Sequence, residues 1–231
     1  MKKVFWFSLF LGLLSITACY NSPKTNQHSQ QYEIFKKQAQ SGDIVSQYNL
    51  GVSYLEGSNG AHKDINQASY WLEKAAENGD SDAQYNLGVI YSSNDYGLVL
   101  NLEKSKKWYI AATKTNNAKA QNNLGNFYRE GLTVAKDYEI AVEMYKLAAS
   151  QGYPPAQVNL GSMYLNGYGL DKNLMKAFEL YSLAAAQDDV DGQYLMGSMY
   201  VEGLSVDQDI ELGKEWLKNL QIKEMPLLKK D

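Results

Sequence analysis

The chain has 231 residues, 45% apolar and 12% aromatic, with 22 Lys and Arg against 26 Asp and Glu, a globular composition that excludes a disordered or fibrous polypeptide. A formal charge of −4 without a basic cluster excludes an electrostatic footprint for phosphate backbones, so no nucleic-acid partner is expected. Two His and one Cys exclude cysteine–histidine zinc sites, disulfide frameworks and most nucleophile–histidine machinery; the expectation is a non-enzyme with no metal, no cofactor and no catalytic residue.

In chain order, Lys2 and Lys3 precede an apolar stretch from Val4 to Ala18, which reads as residues 1–18 of an export signal. The stretch is too short to span a bilayer comfortably. It ends in Ile16-Thr17-Ala18-Cys19 and resembles a bacterial lipoprotein signal, in which small residues precede a lipid-bearing Cys. That resemblance implies cleavage after Ala18, lipidation of Cys19 and anchoring of the mature chain to a membrane by its N-terminal acyl groups. An uncleaved anchor, or a plain secretory signal with an incidental Cys19, is the alternative. Tyr20 stands where inner-membrane retention usually shows Asp, so the resemblance favours the outer membrane, facing the periplasm. Residues 19–31 continue as a polar tether containing His28. Loss of Lys2 and Lys3 takes the formal charge from −4 to −6.

The rest of the chain is repetitive. A Gln-x-x-Leu-Gly-x-x-Tyr string occurs at Gln47, Leu50, Gly51, Tyr54; at Gln84, Leu87, Gly88, Tyr91; and at Gln121, Leu124, Gly125, Tyr128. It returns at Gln157, Leu160, Gly161, Tyr164 and, with Met for Leu, at Gln193, Met196, Gly197, Tyr200. The glycines are 37, 37, 36 and 36 residues apart. At 100° per residue these positions share one helix face. A second amphipathic block follows each string: Trp71 with Ala75 and Ala76, Trp108 with Ala111 and Ala112, Tyr145 with Ala148 and Ala149, Tyr181 with Ala184 and Ala185. Each copy is therefore a predicted helix hairpin. Gly57, Gly131, Gly167 and Gly203 predict left-handed caps on the first helices, whereas the second copy has no Gly at that place. Pro154 and Pro155 mark a helix start. Asp64, Asp137 and Asp171 precede second helices and read as favourable charges on helix dipoles.

The glycines and the Ala pairs predict close approach between helices, with Leu, Trp and Tyr filling the wedges. One hairpin buries too little surface to stand alone; five make a continuous, quasi-one-dimensional core. Residues 32–43 repeat only the second half of the unit and predict a capping helix. Repeats are expected at about 44–80, 81–117, 118–153, 154–189 and 190–222, inside a domain of 32–228 followed by a tail of 229–231.

With QYNLG at 47–51 and 84–88, WLEKAAENGD at 71–80 and KLAASQG at 146–152, the copies resemble Sel-one-like repeats, a subclass of the tetratricopeptide-type solenoids. The resemblance covers about residues 32–222 and implies an all-α, right-handed α/α solenoid whose first helices line the inner surface.

With the Leu-Gly-Tyr face in the core, the opposite face presents Tyr48, Asn49, Tyr85, Asn86, Asn122, Asn123, Asn126, Arg129, Asn159 and Tyr194. Asn49, Asn86, Asn123 and Asn159 recur in register. An amide carries both donor and acceptor, so such a ladder can pair with an extended peptide, and the Tyr residues add contact area at low entropic cost. The same Asn positions also fit a merely tolerant surface. Glu56, Glu130 and Glu202 read as solvated loop-entry residues rather than a carboxylate array. In the irregular second copy, Tyr96, Leu98 and Val99 form either a sticky loop or a segment folded back on its repeat.

These features favour a lipid-anchored periplasmic scaffold or adaptor, monomeric by itself, that binds an unidentified protein or peptide. The family resemblance offers an immunity protein neutralising a lipase-type effector as the alternative. Penicillin binding or hydrolysis, associated with cysteine-rich relatives, transfers poorly: there is no disulfide here, and Ser58, Ser81 and Ser162 lack a Lys three residues on.

Overall fold

The computed structural model describes residues 23–218, with side-chain surroundings from Tyr32 onward. The expected signal, Cys19 and everything past Lys218 lie outside the described residues. Those described form eleven helices and no strand. A leading helix α1 (Pro23–Gln40) precedes five hairpins: α2 (Ile44–Glu56) with α3 (Ile65–Glu77), α4 (Ser81–Ser92) with α5 (Leu102–Thr113), and α6 (Ala118–Glu130) with α7 (Tyr138–Ser150). Then come α8 (Pro154–Asn166) with α9 (Leu174–Ala185), and α10 (Val190–Glu202) with α11 (Ile210–Lys218). α1 starts at Pro23 rather than at Tyr32, inside the stretch expected as tether; proline suits the first helical position, and the Lys and Gln residues after it are good helix formers.

Local chemistry sets the boundaries. Asp43, Asp80, Asn117 and Asp189 cap the first helices, each side chain accepting a backbone N–H bond two or three positions into the helix. Tyr153 at the fourth start makes no such bond, and Pro154 opens that helix instead. Asp64, Asn101, Asp137 and Asn173 cap the second helices in the same way. The fourth of these corrects the sequence reading: Asn173, not Asp171, holds the α9 terminus. Gly57, Gly131, Gly167 and Gly203 all end first helices in the left-handed region, while α4 ends in extended Ser93.

Packing follows the motif glycines. A Cβ at Gly88, Gly125 or Gly161 would lie 2.3, 2.6 or 2.6 Å from the ring of Tyr109, Tyr145 or Tyr181, and one at Gly51 would lie 2.7 Å from Leu72. Each of these four first helices thus has a notch one methyl deep that receives a bulky side chain of its partner helix, whereas Gly197 of α10 faces the Gly213 backbone and Trp216 Cβ. The occupants in the first two hairpins are Leu72 and Tyr109, not the expected Trp71 and Trp108, which sit one position back and are only partly buried. Ala75, Ala112, Ala148 and Ala184 are fully buried at the helix crossings, but Ala111 is only half-buried. Four clusters centred on these residues run along the chain, each shared between neighbouring hairpins. Successive helices pack in order, and first helices also meet across repeats, α4 with α6 and α8 with α10, more extensively than any two second helices do. The helices form an all-α solenoid, and these contacts are consistent with the inner position that the family resemblance implies for first helices.

Candidate functional site

The inner face is built from first-helix side chains one and two positions after each motif Gln. Tyr48 and Tyr85 are half-buried, resting on the adjoining cores and leaving ring edges open. Burial pushes both phenols up, Tyr85 to about 12. Asn49, Asn86, Asn123, Asn126, Arg129 and Asn159 are also half-buried. Two residues expected on this face are not open: Asn122 is 5% exposed and Tyr194 6%. Asn122 is covered where Asn159 of the next hairpin bonds to it.

The asparagines read as free in the sequence; the structure ties two of the four ladder positions, Asn123 and Asn159, to the preceding repeat by hydrogen bonds. Asn86 sits beside Tyr48 and opposes the rise of its phenol. Asn123 Nδ2 donates to the Tyr109 hydroxyl at 3.0 Å, and Asn159 Nδ2 donates to Asn122 Oδ1 at 2.8 Å. Arg129 Nη1 donates to Asn159 Oδ1 at 2.9 Å, while its Nε pairs with Glu130 at 2.8 Å. Tyr145 donates to Asn126 Oδ1 at 2.7 Å, and Asn122 Nδ2 reaches Asn123 Oδ1 at 3.3 Å. The Tyr145 phenol is raised by burial, with Arg129 opposing. Asn49, first in the row, has no side-chain partner among the described residues. Each amide offers two donor hydrogens and two acceptor lone pairs, so the linked members retain capacity for an incoming chain.

Beside this row, Arg129, Glu130, Lys136, Tyr138, Ser162 and Tyr168 border a hollow of about 260 Å3, where Tyr138 and Tyr168 stack 4.9 Å apart. The irregular loop divides: Tyr96 and Leu98 fold onto the first core cluster, whereas Val99 is 88% exposed. Among the described residues no three His, Cys, Asp or Glu side chains converge where a metal could sit. The surface is one for hydrogen bonding and ring contact.

A scan of family models matches the Sel1 repeat at residues 44–80, 81–115, 118–153, 154–189 and 190–219. The chain belongs to the Sel1 repeat family. Sel1 repeats generally serve as non-catalytic protein-interaction scaffolds. Among solved structures, a Sel1 repeat protein from Oxalobacter formigenes is 32% identical at a TM-score of 0.77, the match covering 84% of this chain and 79% of that one. A protective antigen of uropathogenic Escherichia coli with an SLR fold is 34% identical at a TM-score of 0.75, over 82% of this chain but only 40% of the antigen. An immunity protein from Pseudomonas aeruginosa shares the fold at 20% identity and a TM-score of 0.54, over 86% of this chain and 81% of its own. No curated protein matches.

Proposed function

We propose that this Sel1 repeat protein is a lipid-anchored periplasmic scaffold whose inner face holds an extended segment of a partner protein. The observation that carries the reading is the row of half-buried tyrosines and amides at Tyr48, Asn49, Tyr85, Asn86, Asn123 and Asn159, with hydrogen-bonding capacity left over. Anchoring through Cys19 and residence at the outer membrane rest on the lipobox at residues 16–19 and on Tyr20. Mass spectrometry of the membrane-extracted protein tests the anchor: an acylated N-terminal Cys19 is expected, and a free thiol after an intact Met1–Ala18 would refute it.

The test of the face is replacement of Asn49, Asn86 and Arg129 by Ala together. Partner capture should fall at least tenfold, a loss of about 1.4 kcal/mol, with helicity retained. Undiminished capture would put binding elsewhere. The immunity reading uses the same face and is motivated by the fold shared with the Pseudomonas aeruginosa immunity protein. It demands that deleting the gene sensitise cells to one delivered lipase-type toxin.

A further inference from the structure

The motif glutamines share a register but not their partners: Gln47 and Gln84 Nε2 donate to the Ala39 and Ala76 carbonyls, whereas Gln121 Nε2 donates to Asn116 Oδ1. In repeat three, Gln151 Nε2 donates to Gln121 Oε1 at 2.7 Å and to the Leu147 carbonyl at 3.2 Å. In repeat four, Gln187 Nε2 does the same to Gln157 Oε1 at 3.0 Å and the Leu183 carbonyl at 3.1 Å. The second helix thus ends in a glutamine that closes the edge over the first helix's motif glutamine. Repeat one has Asn78 at this register. Its Nδ2 still takes the matching carbonyl, that of Lys74, at 2.8 Å, but the side chain is one methylene shorter. Gln47 Oε1 is left buried without a partner, although Gln47 Nε2 is satisfied by the Ala39 carbonyl at 3.2 Å. Gln47 is 5% exposed, and an unpaired acceptor so placed is costly.

Repeat two shares the defect at Gln84, where Thr115 replaces the glutamine. Repeat one adds room: Ala39, Gln40, Gln47, Tyr70, Trp71 and Lys74 border a hollow of about 260 Å3. Tyr70 is half exposed, and its ring meets Trp71 edge-on at 5.0 Å. The Lys74 ammonium lies 5.8 Å from the Tyr70 centroid.

We propose that this hollow is a subsite for a glutamine side chain of a partner protein, which takes the place that Gln151 and Gln187 fill in the later repeats. The incoming Nε2–H donates to Gln47 Oε1, its carbonyl accepts from the Lys74 ammonium, and its methylenes lie against Tyr70 and Trp71. Because Gln47 Oε1 is closed to bulk water, entry requires the side chains bordering the hollow to part. The subsite is separate from the inner face and does not depend on it.

The probe is the peptide acetyl-Ala-Gln-Ala-amide, titrated into the full mature chain and followed by the Gln47 side-chain amide and Trp71 indole resonances. Both should shift and saturate in the millimolar range. The Leu peptide acetyl-Ala-Leu-Ala-amide should bind at least tenfold more weakly. Asn78→Gln, which supplies the closing side chain from within as repeats three and four do, should abolish the shifts while raising thermal stability. The inner-face variant N49A/N86A/R129A should leave the titration unchanged, so the two sites fail independently. No shift with the Gln peptide, or equal binding by Asn78→Gln, would overturn the proposal and leave Gln47 Oε1 to a trapped water.

Discussion

Gln47 and Gln121 hold the same place in two copies of one motif, yet one ends in an unpaired buried oxygen and the other in a hydrogen-bonded chain. The contrast extends to the hairpins around them. Repeats three and four fill their glycine notches with fully buried tyrosines whose hydroxyls find Asn126 and Ser162, and they close their edge with Gln151 and Gln187. Repeat one fills its notch with Leu72, and repeat two, which shares the buried notch tyrosine in Tyr109, replaces the capping glycine by an extended Ser93 and carries an exposed Val99. Geometry common to all repeats is therefore compatible with one half that is zipped by polar side chains and another that leaves valences open. In a repeat array stability is a sum over neighbours, so the zipped half should be the firmer one.

The largest effect that sharpens this contrast is expected at high pH. Burial raises the Tyr181 phenol from 10.0 to about 12. The folded chain then keeps a proton that the unfolded chain has lost, so this contribution is fully present below pH 10 and disappears as pH climbs to about 12. Urea titrations followed by circular dichroism should show stability unaffected by this group at neutral pH and falling through that window, with Tyr181→Leu removing part of the fall. A pH-independent stability up to 12 would break the argument.

Next comes the notch. Gly161→Ala should cost about 2 kcal/mol because its methyl would meet a rigid, buried Tyr181 ring. Gly51→Ala should cost a similar amount, since its methyl would meet Leu72 Cγ at 2.7 Å and the Leu72 backbone N at 3.1 Å; thermal melts unchanged by either substitution would deny the notch. The edge can be exchanged directly: Gln151→Asn should remove about 1 kcal/mol by leaving Gln121 like Gln47, and Asn78→Gln should restore a similar amount. Smallest is the cap comparison, in which Asn173→Ala loses about 1 kcal/mol and Asp171→Ala stays within about 0.5 kcal/mol.

Much of the fold was legible because its determinants are local. The glycine at a fixed place in each copy, the small-residue crossings and the capping residues act within a turn or a hairpin, and their spacing in sequence is their spacing in space. Trp71 and Leu72 were harder to tell apart, since both lie on the apolar stripe and only the facing glycine decides which one enters. Asn173 was passed over for Asp171 because an acidic residue near a helix start suggests a dipole partner, whereas a cap must be the immediate neighbour. The inner face was legible as a set of positions but not as a network. Asn123 and Asn159 find their partners in the preceding repeat, Asn122 being a full repeat away along the chain from Asn159, where periodicity gives no pairing. The closing glutamines were visible as letters at 151 and 187, but their role needs the distance to Gln121 and Gln157.

The claim that the inner face is where a partner lies is tested most directly by placing a photo-crosslinking residue, one position at a time, in the chain as it stands in the cell envelope. Probes at Tyr48, Tyr85 and Asn126 should yield the same crosslinked partner, and a probe at Lys146 on a second helix should yield none. Crosslinks from Lys146 with silence at the three first-helix positions would contradict the account.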